Sequence, residues 1–270
     1  MYITNNTAIA RAADDAGINV IFIDLEIYGK KKRQFGRNTV ISEHEIGDIS
    51  KIKLVVKNAS ILVRCNRIGE WTADEIEKII AAGADTIMLP MFTNAKEVKY
   101  FMDCVAGRAK ACLLVETIEA LENLNLILSV EGVNRIHIGL NDLHIAYKSL
   151  FMFEPFINGK LSMACKIARQ YDVNYGIGGI AKIGSSLKPS PECLIAEHMR
   201  LGSNSVILSR SFLNIEDKKY TKDIFSEFSE GIKEIRIWET KLKTWDKNMF
   251  EENRLRLVAD IEKIMREINQ

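Results

Sequence analysis

The segment AGADTIML, Ala82–Leu89, contains the join that decides the fold. A glycine that can end a helix in the left-handed conformation stands two or three residues before a short apolar strand. The same join occurs at Ala16 and Gly17, ahead of the apolar run NVIFID at residues 19–24. Repeated joins of helix, glycine and strand are typical of βα units around a parallel sheet.

The number of strands distinguishes a closed barrel from an open sheet. Helices such as those expected at residues 6–16, 72–82 and 93–103 separate the apolar runs. The predicted strands are residues 1–4, 19–24, 60–64, 85–89, 111–116, 135–139, 173–177 and 204–209. Eight strands that alternate with helices predict an α/β fold of the TIM (β/α)8 barrel type, which we assign to residues 1–213.

Residues 214–270 form a predicted helical extension. Apolar side chains recur there every three or four residues, in one stripe from Ile224 to Trp245 and another from Val258 to Ile268. Two such helices can pack on the exterior of the barrel or against another subunit. We predict that they form the interface of a homo-oligomer.

The composition argues against several classes of partner. The chain has 270 residues, of which 37 are basic and 36 acidic, so the net charge of +1 favours neither nucleic acid nor a membrane surface. No run of about 18 apolar residues and no secretory signal pattern occurs. The five cysteines include no C-x-x-C pair, which is typical of reduced thiols. We therefore expect a soluble, cytoplasmic protein.

Charged residues close several strands, and the active site of a TIM barrel lies at the carboxyl ends of its strands. Strand two ends with Asp24 and Glu26, strand five with Glu116, and strand six is followed by Asp142. Carboxylates that converge there would repel one another unless a cation relieved them, and hard oxygen ligands favour Mg²⁺ or Mn²⁺. Each carboxylate taken alone could equally be a salt-bridge partner or a helix cap.

Arg64 closes strand three, where a guanidinium would be costly if it were merely buried. Its planar fork suits a two-point contact with a substrate carboxylate or an enolate oxygen. The alternative is an ion pair with Asp24 or Glu26 across the mouth of the barrel.

The segment VETIEALENLNLILSVEGVNRIHIGLNDL, Val115–Leu143, resembles the HpcH/HpaI aldolase and citrate lyase family. That family has an E-T-x-E-A-x-x-N run followed by a strand that ends in I-G-x-x-D-L. The resemblance implies that Glu116 and Asp142 bind the divalent metal and that Arg64, in the upstream L-V-R, contacts pyruvate. It also implies aldol cleavage or condensation through an enolate. The metal and Arg64 would then stabilise the negative charge that develops on the enolate oxygen.

One position departs from the family pattern. The hydroxy-acid aldolases carry a histidine directly after the acidic motif of strand two, whereas this chain has Ile27. We predict His144 as the replacement proton-transfer residue, with His44 and His198 as more distant candidates. Asp24 and Glu26 are predicted to organise metal-bound water.

Two loops predict how the rest of the substrate binds. YGKKKRQFGR at residues 28–37 is either a solvated loop or an anion contact, and GIGGIAKIG at 176–184 with SRS at 209–211 suits phosphate. The predicted substrate contacts are Arg64, Gly139, Asn141, Gly178, Gly179, Arg210 and Lys30.

These features predict a metal-dependent carbon-carbon lyase or aldolase for a keto acid and an aldehyde. The variant loops resemble those of family members in bacterial surface-polysaccharide pathways, which suggests a sugar-acid or phosphorylated aldehyde. The alternatives are an acyl-CoA lyase of the citrate or malyl-CoA type and a barrel that binds a keto acid without turnover.

Overall fold

The computed structural model describes residues 1–29, 43–209, 212–213 and 222–270. Its sheet contains eight parallel strands in sequence order. They are β1 (Tyr2–Ile3), β2 (Val20–Asp24), β3 (Ser60–Arg64), β4 (Thr86–Leu89), β5 (Lys110–Val115), β6 (Arg135–Ile138), β7 (Asn174–Ile180) and β8 (Ser205–Leu208). The Leu208 amide donates to the Met1 carbonyl at 2.8 Å and links β8 back to β1. The predicted TIM-type barrel is confirmed.

Helices connect the strands and form the outer layer. They are α1 (Thr7–Asp15), α2 (Ile46–Lys53), α3 (Thr72–Ala81), α4 (Ala95–Val105), α5 (Ile118–Glu122), α6 (Leu124–Leu128), α7 (Leu140–Tyr147), α8 (Lys160–Gln170), α9 (Pro191–Leu201), α10 (Lys222–Leu242) and α11 (Lys247–Ile268). A short 3-10 helix spans Glu154–Phe156.

The strands bury apolar side chains on both faces. Phe22, Leu62 and Met88 belong to the cluster inside the barrel, whereas their strand neighbours pack outward against the helices. Because side chains alternate along a strand, Asp24 and Arg64 continue the inner rows of Phe22 and Leu62. The alternation therefore places these charged groups at the mouth of the barrel.

β7 is longer than the sequence pattern indicated, because it continues to Ile180 and includes most of the glycine-rich segment. Its pairing with β8 shifts between Gly176 and Gly179. A Cβ on Gly176 would collide with Ser205 and His137, so the close approach of three strands requires glycine there. These glycines thus have a role in closing the barrel.

The two helices of the extension pack on one side of the barrel. α10 contacts α1 and α9, and α11 lies against α9. The Phe228 ring meets Tyr2 edge-on at a centroid distance of 4.9 Å, and Asn253 Nδ2 donates to the Cys193 carbonyl at 3.0 Å. Ile237 remains 60% exposed. The oligomer interface stays a prediction.

All five cysteines are free thiols. Burial raises the pKa of Cys112 to about 12, which makes this thiol inert at neutral pH. Within the described ranges, no helix combines the length and the apolar character needed to cross a membrane.

Candidate active site

Arg64 is held at the mouth of the barrel by two acids from the neighbouring strand. Its Nε lies 2.8 Å from Asp24 Oδ1, its Nη2 lies 2.8 Å from Asp24 Oδ2, and its Nη1 lies 3.4 Å from Glu26 Oε2. The side chain of Arg64 is 14% exposed, and those of Asp24 and Glu26 are almost fully buried. The sequence left open whether Arg64 meets a substrate or these acids, and the structure shows the ion pairs.

Electrostatics keep this guanidinium charged. Burial alone would lower the pKa of Arg64, but the adjacent Asp24, followed by Glu26 and Glu116, raises it above its ordinary value. Three acids, two after β2 and one after β5, therefore contribute to the raised pKa of this guanidinium.

The Glu116 carboxylate is buried between the ends of β4 and β6. Its Oε1 accepts a hydrogen bond from the Met91 amide at 3.2 Å, and Met91 adopts a left-handed backbone with φ of 54°. A Cβ on Gly139 would stand 2.9 Å from Glu116 Cβ and 3.1 Å from its Oε2. Gly139 therefore provides the space that Glu116 occupies. The sequence analysis missed Met91, whose contribution is a backbone amide.

The residue after Glu116 fixes the loop that carries it. Thr117 Oγ1 donates to the Phe92 carbonyl at 2.7 Å and accepts from the Ala120 amide at 3.1 Å. Thr117 thus caps α5 and ties the loop after β5 to the loop after β4. The E-T pair of the motif combines a buried acid with the cap that positions it.

Asp142 lies in the first turn of α7, directly after β6 and Gly139. Within the ranges given above, no set of three or more His, Cys, Asp or Glu side chains is placed to hold a metal ion. Two carboxylates are nevertheless sufficient protein ligands for a cation such as Mg²⁺, which usually keeps several waters. The buried Glu116 carboxylate, and Asp142 three residues after the Gly139 that borders it, are oxygen donors of the type that a hard divalent cation takes.

Asn66, two residues beyond Arg64, anchors the loop that follows β2. Its Oδ1 accepts from the amides of Ile27 at 2.9 Å and Tyr28 at 3.0 Å, and its Nδ2 donates to Glu75 at 2.7 Å. These hydrogen bonds fix the backbone before and after the side chain of Ile27, the position where the family carries a histidine. Asn66 was also missed, because its partners are distant in sequence.

His44 lies at the end of β2. Its Nδ1 accepts a hydrogen bond from the Asp24 amide at 2.9 Å, on the side where β1 has already ended. An Nδ1 that accepts from a backbone amide leaves the ring proton on Nε2, so this contact requires the neutral imidazole. His44 therefore satisfies a backbone amide of β2 that has no neighbouring strand at the mouth of the barrel.

His144 lies two residues beyond Asp142 in α7. Side chains two residues apart on a helix diverge by about 200°, so Asp142 and His144 occupy opposite sides of α7. Within the described ranges, the buried His144 Nδ1 has no hydrogen-bond partner. A proton-transfer role for His144 stays a prediction. His198 lies far from the mouth, in α9, where its Nδ1 meets Ser203 Oγ at 3.2 Å.

The predicted substrate contacts other than Arg64 fall into three groups. Gly139 and Asn141 lie beside Glu116 and Asp142. Gly178 packs on Leu140, and its carbonyl meets His137 Nε2 at 3.0 Å, while Gly179 lies against the Ile207 carbonyl. Lys30 and Arg210 lie outside the described residues.

The barrel and its charged mouth define the class of protein, an α/β barrel with carboxylates and an arginine at the carboxyl ends of its strands. A family model described as HpcH/HpaI aldolase/citrate lyase matches residues 2–151. The chain belongs to this family, whose members are of the lyase and aldolase type and generally depend on a divalent metal.

Solved structures share the fold. An HpcH/HpaI aldolase from Desulfitobacterium hafniense DCB-2 has a TM-score of 0.57 at 16% identity, over 77% of this chain and 84% of that chain. An HpcH/HpaI aldolase/citrate lyase family protein from Burkholderia cenocepacia J2315 has a TM-score of 0.58 at 14% identity, over 87% and 94%. The citrate synthase SbnG has a TM-score of 0.58 at 12% identity, over 77% and 84%. No curated protein sequence matches the chain.

Proposed function

We propose that this chain is a divalent-metal-dependent carbon-carbon lyase or aldolase that acts through a pyruvate-type enolate. The observation that carries the proposal is the fixed guanidinium of Arg64 at the mouth, with the buried Glu116 carboxylate within its field. A preorganised positive group beside metal-ligating acids is what an enolate oxygen requires.

Arg64 serves as the group that binds and orients the keto acid. Its contacts with Asp24 and Glu26 use three nitrogens. A guanidinium has about five N–H groups, so at least two remain for a carboxylate or enolate oxygen. Asp24 and Glu26 hold the plane of the fork and keep it charged when substrate enters.

Glu116 and Asp142 would hold the cation, which we propose to be Mg²⁺ or Mn²⁺. When bound, it supplies positive charge beside the keto oxygen and lowers the cost of forming the enolate. The Met91 amide and the space at Gly139 keep the Glu116 carboxylate in place for this role.

For the second substrate, we propose a sugar-acid or phosphorylated aldehyde of surface-polysaccharide metabolism. The support is in the sequence, in the basic run at residues 28–37 with Lys30 and in Arg210 after β8. The free thiols and the exposed Ile237 of α10 support a cytoplasmic homo-oligomer as part of the same proposal.

The experiment is solvent deuterium exchange into the methyl group of pyruvate, followed by proton NMR with and without Mn²⁺ or Mg²⁺. We compare the wild type with Glu116→Ala and with Glu119→Ala, an exposed glutamate three residues further along. Exchange that requires the metal and is lost only in Glu116→Ala supports enolate chemistry.

The absence of exchange would contradict the enolate proposal. If calorimetry then showed that metal and pyruvate still bind, the chain would be a keto-acid-binding barrel without turnover. The exposed Ile27, at the position of the family histidine, favours that second candidate.

A further inference from the structure

A second cavity lies beside β8, between the barrel and the helices α9 and α10. Its volume is about 500 Å³, and it extends from the amino ends of β2, β6 and β8 to the last residues of β7 and β8. This volume is within the range of sites for small molecules. Of the residues predicted to take part in catalysis, only His198, the distant proton-transfer candidate in α9, borders it, whereas Asp24, Glu26, Arg64 and His144 do not.

One wall of the cavity is apolar. It consists of side chains from the outer faces of β7 and β8 and the inner faces of α9 and α10, among them Ile180, Ile195, Leu208, Ile232 and Ile235. Met199 adds a flexible thioether that can adapt to an apolar ligand. This wall would favour a hydrocarbon chain over water.

The other wall carries positive charge. Arg135, at the start of β6, is half-buried, and no hydrogen bond or ion pair within the described part of the chain engages its guanidinium. Arg236 of α10 is paired with Glu239 at 2.7 Å. Two arginines and one glutamate border the cavity, so its charged wall carries an excess positive charge.

The remaining titratable groups of the cavity, the Met1 α-amino group and His198, do not change this balance. The Met1 amino group donates to the Val206 carbonyl at 2.9 Å, and burial, followed by the charge of Arg135, lowers its pKa to about 5. His198 is buried, and burial lowers its pKa to about 4, so the ring is neutral at physiological pH. The wall therefore offers an unpaired guanidinium, and its single acid is already paired.

We propose that this cavity is a second ligand site, which binds a small amphipathic anion with a carboxylate head and a short hydrocarbon chain. The head pairs with Arg135, while the chain lies along Ile180, Ile232 and the other apolar side chains. A half-buried arginine without a partner is costly, and a carboxylate both satisfies it and uses its fork.

The test is isothermal titration calorimetry of the full chain with octanoate, alongside 1-octanol as the uncharged probe. We expect saturable one-to-one binding of octanoate, weakened at least tenfold in Arg135→Gln. Loss of one charge-assisted hydrogen bond accounts for a change of that size. Arg256→Gln, the same substitution at an exposed site on α11, should leave the affinity unchanged.

A second variant keeps the test decisive if Arg135→Gln does not fold. Ile232→Trp fills the cavity from α10 without changing charge, and circular dichroism verifies that each variant is folded. Octanoate binding should be lost in this variant as well. Any one of three results would overturn the proposal. They are the absence of saturable heat with the wild type, equal affinity for octanoate and 1-octanol, and unchanged octanoate affinity in a folded Arg135→Gln.

Discussion

Arg64 and Asp24 occupy paired positions on β3 and β2 and form a two-point ion pair, with both nitrogen-oxygen distances at 2.8 Å. The register of the two strands therefore determines the orientation of the guanidinium plane before any substrate arrives. Sites built on strands hold such geometry more firmly than sites built on loops. The ion pair is thus a positioning device for the group that would meet the keto acid.

Replacing Asp24 by Asn should destabilise the fold by about 2–4 kcal/mol, because the buried Arg64 loses its main counter-charge. Glu26, at 3.4 Å, compensates only in part. Urea unfolding followed by circular dichroism measures the change. Asp74→Asn, in an exposed ion pair with Lys78, is the matched control and should behave like the wild type. Equal stability of the two variants would refute the structural role of Asp24.

Replacing Gly139 by Ala should displace the Glu116 carboxylate, because the new methyl group would stand 2.9 Å from Glu116 Cβ. We expect pyruvate exchange to fall at least tenfold with a stability loss of only about 1–3 kcal/mol. The control is Gly47→Ala in α2, where a Cβ meets no atom within 4 Å. Full exchange in Gly139→Ala would show that Glu116 tolerates the added group.

Replacing Asp142 by Asn should weaken Mn²⁺ binding at least tenfold while the fold remains intact, because a neutral amide is a poorer ligand for a hard cation than a carboxylate. Electron paramagnetic resonance of free Mn²⁺ measures the binding directly, without a substrate. Asp103→Asn, on an exposed turn of α4, serves as the control. Unchanged Mn²⁺ binding would remove Asp142 from the metal site.

The stability of the protein should decrease as the pH falls below 6.5. Burial lowers the pKa of His137 to about 3 and that of His198 to about 4, whereas both groups titrate near 6.5 in the unfolded chain. The unfolded state therefore binds more protons in this window, at a cost of about 1.4 kcal/mol per pH unit for each histidine.

A variant isolates one of the two histidines. In His198→Gln, the loss of unfolding free energy between pH 7.5 and pH 5 should be about 2 kcal/mol smaller than in the wild type. Urea titrations at the two pH values provide the comparison. The same pH dependence in both proteins would show that His198 is protonated in the folded state.

The sequence predicted β2 and β3 well because VIFID and SILVR are compact apolar runs that contain β-branched residues. β3 was predicted to the residue, and β2 to within one. Asp24, Arg64 and Glu116 could be identified as charged groups at the mouth of the barrel because each one directly follows or ends an apolar strand.

What the sequence could not show depends on backbone groups from distant segments. Met91 contributes an amide to Glu116, Asn66 binds amides some 40 residues earlier, and His44 accepts from the Asp24 amide. None of these pairings leaves a local pattern. The end of β7 was missed for another reason, since glycines in a strand resemble a loop when no side chain shows the alternation.

β1 pairs with β2 at Tyr2 and Ile3, and β8 is joined to the start of β1 at Met1. There the Leu208 amide donates to the Met1 carbonyl and the Met1 amino group donates to the Val206 carbonyl. A closed sheet should open first along the seam where the fewest hydrogen bonds join neighbouring strands. The amide hydrogens of β1 and β8 should therefore be the first within the sheet to exchange with solvent. The second cavity borders this seam. A ligand bound there would contact Met1, Val206 and Leu208, and it should slow hydrogen exchange at β1 and β8 because it binds only while the two strands are joined.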